Sequence, residues 1–120
     1  MSAVTILGAS AKAHRYSHRA QLKLQQHGYD VIPVARKAGY INGVSCLHSL
    51  AEIDQPVDTI TLYVNPAILA EHLDEIVRLK PRRVIFNPGT ESDEFAKMLA
   101  DNGIEVVEGC TLVMLNTGQF

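Results

Sequence analysis

Near its start the chain reads Val4-Thr5-Ile6-Leu7-Gly8-Ala9-Ser10. The β-branched and leucine side chains of residues 4–7 pack well on a pleated surface covered on both faces, so they predict a buried parallel strand. Gly8 permits a positive φ and lets a ligand phosphate approach the backbone, while Ser10 adds a hydroxyl donor. This pattern is typical of the first strand and turn of a nucleotide-binding α/β fold. It matches only the first glycine of G-x-G-x-x-G, and a turn that binds nothing is the alternative.

The composition indicates one globular domain spanning residues 1–120. The chain has 47% hydrophobic residues and a net charge of −2, which argues against a general binder of nucleic acid or membrane surfaces. It has neither a long apolar run nor a signal-peptide pattern, so we expect a cytoplasmic protein. Cys46 and Cys110 are too few for a disulfide framework, and we expect both to be reduced and packed in the core.

Strand patterns and helix patterns alternate along the rest of the chain. Strands are predicted at 30–34, 59–64, 83–86 and 104–108, and helices at 17–27, 67–79 and 92–102. Ser17 is the predicted N-cap of the first helix, and Gly28 is placed to end it. Residues 35–47 are a predicted loop, and 49–53 a single helical turn. The alternation predicts an α/β fold, a Rossmann-like, doubly wound and mainly five-stranded parallel sheet with helices on both faces.

In such a sheet the ligand crevice lies beyond the carboxyl ends of the strands. An NAD-binding domain has an acidic residue after its second strand, whereas this chain has Arg36 and Lys37. Cations there suit a phosphorylated ribose, as in coenzyme A or NADP. The alternative is that both are solvated loop charges.

Taken together, these motifs resemble the small stand-alone CoA-binding domain proteins, similar to the N-terminal CoA-binding domain of the succinyl-CoA synthetase α subunit. The resemblance covers nearly the whole chain. It rests on residues 4–10, 27–34, Lys37, 41–46, 49–50, 57–58, 87–89, 102–104 and Cys110.

This resemblance implies that coenzyme A or an acyl-CoA lies across the strand tips. The implied contacts are Gly8, Ala9, Ser10 and Lys12 at the phosphates, Tyr16 at the mouth, Pro33, Val34 and Lys37 around the adenosine, Val64, Asn65 and Pro66 on the other side, and Asn87, Pro88 and Gly89 near the pantetheine. Arg36 is a further predicted contact because of its charge after the second strand. Two tips depart from the family pattern. Arg36 stands where the family often has proline, and Val64-Asn65-Pro66 replaces an apolar-Pro-Pro run.

No catalytic or metal site is predicted. By the resemblance, the phosphorylatable histidine of the synthetase lies in a second domain. His14 and His18 have the spacing of a metal pair but no third ligand, His72 lies on an apolar helix face where core packing is expected, and Cys110 has no identifiable base. We therefore expect a non-catalytic CoA-binding protein.

Two other functions remain open. One is a small NADP-dependent or acyl-CoA-processing enzyme that acts with a partner subunit, and the other is an interaction module whose crevice is vestigial. The apolar residues 112–115 are compatible with a homo-oligomer and equally with folding back on the sheet.

Overall fold

The computed structural model describes residues 3–37 and 39–120; Ala38, within the predicted loop, lies outside this part. The strands are β1 (Ala3–Leu7), β2 (Val31–Val34), β3 (Tyr40–Ile41), β4 (Val44–Ser45), β5 (Val57–Leu62), β6 (Arg83–Phe86) and β7 (Glu105–Glu108). The helices are α1 (Tyr16–Gln26), α2 (Pro66–Leu69), α3 (Leu73–Leu79), α4 (Asp93–Asp101) and α5 (Thr111–Asn116), with short 3-10 turns at Leu50–Glu52 and Ala70–His72.

Five parallel strands form the main sheet, in the order β2-β1-β5-β6-β7. The chain steps from β1 to β2 on one side and then returns to β5 on the other. The strand order therefore reverses beside β1, where open α/β sheets bind their ligands. The predicted α/β fold is confirmed.

Alternation along β1 divides the core between the two faces of the sheet. Ala3 and Leu7 belong to the larger apolar cluster, which also takes in α3 and α4. Val4 and Ile6 belong to the smaller cluster, which includes Leu24 of α1 and Leu115 of α5. Helices therefore cover both faces, and the apolar tail around Leu115 folds back on the sheet.

Pro33 lies in β2 at the edge of the main sheet. Its carbonyl oxygen accepts from the Leu47 amide at 2.9 Å, while the neighbouring Val34 carbonyl accepts from the amides of Gly8 and Ala9. The proline nitrogen therefore faces away from β1, so its missing donor removes no hydrogen bond between these two strands. A proline is tolerated at this position because β2 is the edge strand of the main sheet.

Residues 40–45 differ from the prediction of a loop, because β3 and β4 pair there as an antiparallel hairpin. The turn is formed by Asn42 and Gly43, both with positive φ (48° and 81°). An Asn-Gly pair favours this kind of two-residue hairpin turn, so the local signal was present.

Helix boundaries differ from prediction at two places. The predicted helix 67–79 is divided by the 3-10 turn Ala70–His72, although neither proline nor glycine marks the change. Arg15, and not Ser17, is the N-cap of α1, and its side chain makes no capping hydrogen bond. Gly28 ends α1 with φ 85°, as its position predicted.

No helix in the described part of the chain is both long and apolar enough to cross a bilayer.

Candidate ligand-binding site

Three adjoining cavities lie along the carboxyl ends of the strands. The β2-side cavity has about 140 Å³ and is lined by Leu7, Gly8, Val34, Ala35, Arg36, His48, Val64, Ile68 and His72. The turn cavity has about 390 Å³ and is lined by Gly8, Ala9, Ser10, Lys12, Arg15, Tyr16, Ser17 and Tyr63. The α5-side cavity has about 250 Å³ and is lined by Tyr16, Tyr63, Asn87, Pro88 and Cys110. Gly8 is common to the first two cavities, and Tyr16 and Tyr63 are common to the last two, so the three cavities adjoin one another and together make up the crevice at the strand ends.

Gly8 forms the corner between the β2-side and turn cavities. Its φ is 96°, and a Cβ built on it would lie 2.8 Å from the Tyr63 carbonyl oxygen and 2.9 Å from Val64 Cγ1. The residue after β1 must therefore be glycine because the end of β5 packs against it. The positive φ agrees with the sequence interpretation, which did not foresee the contact with β5.

The turn cavity collects donors and cations suited to an anion. The side chains of Lys12 and Arg15 are exposed at its wall. The first amides of α1, at Tyr16 and Ser17, have no partner within the helix and add the positive end of its dipole. Of the predicted phosphate contacts, Gly8, Ala9, Ser10 and Lys12 all line this cavity, and Tyr16 lies between it and the α5-side cavity.

His18 holds the backbone of this turn in place. Its Nδ1 atom lies 2.9 Å from the Ser10 carbonyl oxygen, which fixes the imidazole as a donor at that nitrogen. The Ser10 hydroxyl in turn accepts from the Lys12 amide at 3.1 Å. His18 is thus engaged with the turn, whereas His14 lies exposed before α1. Within residues 3–37 and 39–120, no group of three or more His, Cys, Asp or Glu side chains is arranged to hold a metal ion.

The two cations after β2 differ in their placement. Arg36 lines the β2-side cavity and forms an ion pair with Glu71 at 3.6 Å, in which the two side chains are 78% and 59% exposed. Lys37 is exposed and is not among the residues that line the three cavities. Val34 lines the β2-side cavity, and Pro33 lies buried behind it.

On the β5 side, Val64 lines the β2-side cavity, while Asn65 and Pro66 build the helix that follows. The Asn65 Oδ1 atom accepts from the Ile68 amide at 2.9 Å and caps α2, and Pro66 is the first residue of that helix. These two residues thereby position Ile68, which also lines the cavity.

Asn87 joins three elements beneath the α5-side cavity. Its Nδ2 donates to Thr61 Oγ1 at 2.6 Å and to the Leu62 carbonyl at 2.9 Å, and its Oδ1 accepts from the Thr111 amide at 2.9 Å. The side chain is 2% exposed. Pro88 lines the cavity beside it, while Gly89 lies in an exposed turn and donates to the Glu91 carboxylate.

Tyr63 is a central wall residue that the sequence analysis missed, because the predicted strand ran to residue 64 whereas β5 ends at Leu62. Burial raises the pKa of Tyr63 to about 12, and the nearby Thr111 and Thr61 side chains oppose this rise. The hydroxyls of those two threonines already pair with one another at 2.7 Å. Among the described residues the buried Tyr63 hydroxyl has no hydrogen bond of good geometry.

Two residues predicted to be core residues line the crevice instead. Cys110 is half-buried at the N-cap of α5 and lines the α5-side cavity, whereas Cys46 is buried as predicted and burial raises the pKa of its thiol. His72 is half-buried and lines the β2-side cavity together with His48. The apolar helix face misled the prediction for His72, and the prediction for Cys110 rested only on the absence of a disulfide or metal motif.

Residues 2–116 match the family described as CoA binding domain. This match confirms the resemblance expected from the sequence. Among curated proteins, the uncharacterised protein YneT of Bacillus subtilis is 27% identical over 104 residues, covering 87% of this chain and 77% of its own.

Solved structures match over nearly the whole chain. An uncharacterised protein is 47% identical with a TM-score of 0.94, covering 100% of this chain and 98% of its own. A protein of Thermus thermophilus is 31% identical with a TM-score of 0.90, covering 99% and 90%. The dinucleotide-forming acetyl-coenzyme A synthetase 1 of Ca. Korarchaeum cryptofilum has the same fold at 18% identity, with a TM-score of 0.78 over 90% of this chain and 25% of its own.

Proposed function

This chain belongs to the family of CoA-binding domains, and from that premise we propose that it binds coenzyme A or an acyl-CoA in the crevice of the three cavities, without catalysing a reaction. The adenosine occupies the β2-side cavity, the diphosphate occupies the turn cavity, and the pantetheine arm extends into the α5-side cavity.

The observation that carries this proposal is the order of the three cavities. The β2-side cavity has apolar walls from Val34, Val64 and Ile68, which suit the faces of an adenine ring. The adjoining turn cavity has Lys12 and Arg15 beside the first amides of α1, which suit a diphosphate. The α5-side cavity follows, with mainly apolar walls and Cys110 among its lining residues, and it suits the pantetheine arm. A base, an anion and an amphipathic chain follow one another in the same order in coenzyme A.

The other predicted contacts either shape the walls of the cavities or lie outside them. Pro33, Asn65, Pro66, Asn87 and Gly89 shape the walls, because their backbone or side chains serve the strand edge, the α2 cap and the turn after β6. Lys37, which is exposed and does not line the three cavities, is proposed to meet the ligand only outside them.

Tyr63 and Asn87 in the α5-side cavity are unsuited to general-base catalysis. A general base there needs a pKa near the working pH. Tyr63 stays protonated, since its pKa is raised to about 12, and the Asn87 amide is fully used in internal hydrogen bonds. Neither residue can take a proton from a substrate at neutral pH.

Isothermal titration calorimetry of ligand-free protein with CoA, NADPH and NADH tests the proposal. We expect micromolar binding of CoA and weaker binding of both nicotinamide nucleotides. Binding of NADPH or NADH without heat from CoA would refute it. Native mass spectrometry of protein purified from cells reports the retained ligand and the number of subunits in one measurement.

A second candidate function is acyl-CoA processing completed by a partner subunit. It is favoured by Cys110, whose half-buried thiol lines the cavity assigned to the pantetheine arm. Intact-mass spectrometry after incubation with an acyl-CoA distinguishes the two functions. An acyl mass retained on Cys110 would favour processing, and an unmodified chain would favour binding alone.

A further inference from the structure

We infer that a groove between β7 and α5 receives the acyl chain of an acyl-CoA, and that the acyl group it selects is a neutral straight chain of medium length. This groove, called here the β7 groove, has a volume of about 500 Å³ and is separate from the three cavities of the crevice. The inference rests on the proposed function and deepens it, because it names the class of acyl group that the same crevice takes.

The β7 groove adjoins the end of the crevice that is assigned to the pantetheine arm. Cys110 lines both the groove and the α5-side cavity. The acyl group of an acyl-CoA is attached at the sulfur that ends this arm, so its chain would leave the α5-side cavity beside Cys110. The β7 groove is the adjoining space, and its volume of about 500 Å³ exceeds the 250 Å³ of the α5-side cavity.

The walls of the β7 groove next to Cys110 are apolar. Val107 contributes from β7, and Val113 and Met114 contribute from α5. Val113 is 55% exposed, so its apolar surface is available to a ligand. Covering such surface with methylene groups removes both from water and is favourable.

Gly109 keeps the groove open where it meets Cys110. A Cβ built on Gly109 would lie 3.7 Å from Met114 Sδ and 3.8 Å from Val107 Cγ1, so a side chain there would project between the two apolar walls. These are ordinary contact distances, and the φ of Gly109 is not positive. The fold therefore does not require glycine at this position, whereas the passage of a chain does.

The groove extends along β7 from Gly109 to Glu105. At a rise of about 3.3 Å per residue this length is about 13 Å, which accommodates an octanoyl chain. At the far end Arg83 lies in register with Glu105, and its guanidinium donates to Thr59 Oγ1 and to the Phe120 carbonyl, both at 3.2 Å. Opposite charges thus lie on neighbouring strands, and this end favours neither a cationic nor an anionic group.

Glu108 determines the charge preference near Cys110. It is exposed and lines the groove next to Gly109. The carboxylate of a short dicarboxylic acyl group, such as succinyl, would lie near this acid and be repelled by it. A neutral chain meets no such repulsion and covers the apolar walls.

Calorimetry with CoA, octanoyl-CoA and succinyl-CoA tests the inference. Octanoyl-CoA is expected to bind about tenfold more tightly than CoA, because its chain buries methylene groups. Succinyl-CoA is expected to bind no more tightly than CoA. Equal affinities for octanoyl-CoA and CoA would overturn the inference while CoA binding stands, and so would succinyl-CoA binding as tightly as octanoyl-CoA.

Gly109→Leu fills the groove and should remove the advantage of octanoyl-CoA over CoA. Gly39→Leu is the matched control, because Gly39 also lacks a positive φ but has open space around it and lies outside the groove. The control should keep the full advantage. If the advantage persists in Gly109→Leu, the acyl chain lies elsewhere and the inference is wrong.

Val113→Ser is a second variant, in which an exposed side chain loses its apolar surface and no bulk is added. It should reduce the advantage of octanoyl-CoA about threefold. Tyr40→Ser is its control, because Tyr40 is another exposed large apolar residue, at 75%, on β3. An unchanged advantage in Val113→Ser also contradicts the inference. If neither CoA nor octanoyl-CoA binds the wild-type protein, the proposed function fails and the inference fails with it.

Discussion

The Tyr63 carbonyl oxygen occupies the space where a side chain at residue 8 would begin, since a Cβ built on Gly8 would lie 2.8 Å from it. The contact joins the end of β1 to the end of β5 at the switch point of the sheet. Through it, Tyr63 is held where it lines both the turn cavity and the α5-side cavity. The shape of the crevice therefore depends on a backbone contact that no ligand makes.

Gly8→Ala should lower the free energy of unfolding by about 2–4 kcal/mol, since it adds a clash with the β5 backbone to the strain of a positive φ. Gly28→Ala is the matched control, because Gly28 also has a positive φ, 85°, but open space around it. It should cost only about 1 kcal/mol. Urea unfolding of both variants measures the difference. Equal losses would show that the Tyr63 contact has no energetic consequence.

Lys12→Met and Arg15→Met should each weaken CoA binding about three- to tenfold, because each removes one cation from the turn cavity. The salt dependence of the affinity should fall in parallel, since fewer charges are then paired. Lys97→Met removes an exposed cation from α4 and should leave both quantities unchanged. Calorimetry at two salt concentrations measures them. A loss of affinity in the control as large as in the variants would argue against a localised anion site.

Asn87→Ala should lower the free energy of unfolding by about 2–3 kcal/mol, because it leaves the Thr111 amide and the Leu62 carbonyl without their buried partner. Asn116→Ala, an exposed change at the end of α5, should cost under about 0.5 kcal/mol. Urea unfolding monitored by circular dichroism compares the two. A small loss in Asn87→Ala would show that water replaces these hydrogen bonds.

Bound CoA should protect Cys110 from alkylation, because its half-buried thiol lines the cavity proposed for the pantetheine arm. Cys46 should react slowly with or without ligand, since it is buried and burial raises the pKa of its thiol, which leaves little thiolate. Iodoacetamide labelling followed by peptide mass spectrometry measures both rates. Unchanged labelling of Cys110 at saturating CoA would remove the pantetheine arm from this cavity.

Asp58→Asn should lower stability at neutral pH, because Arg82 donates to the Asp58 carboxylate at 2.9 Å and holds its pKa below the ordinary 3.8. A depressed folded-state pKa contributes stability that is present above 3.8 and is lost as the pH falls through the folded value. The pair is largely solvated, so the loss should be under about 1 kcal/mol. Urea unfolding at neutral pH and in acid should show the two proteins converging in acid. A constant difference would assign the effect to another cause.

Local patterns were sufficient for much of the fold. The β-branched run before Gly8 predicted β1, and Gly28 predicted the end of α1, because both depend on neighbours in the chain. The turn of the hairpin at Asn42-Gly43 also depends on two adjacent residues, although the sequence analysis predicted a loop there. The family resemblance was likewise carried by short motifs and is confirmed by the match over residues 2–116.

The tertiary structure alone decided which residues face the crevice. Arg36 and Lys37 are adjacent and alike in charge, yet of the two it is Arg36 that lines one of the three cavities and pairs with Glu71, which lies far along the chain. Cys110 and His72 were both predicted to be core residues, yet the packing of α5 and the 3-10 turn brings them to the cavity walls. Periodicity reports which face of its own element a residue occupies. Whether that face meets a core or a cavity depends on elements distant in sequence, and so it follows only from the assembled sheet.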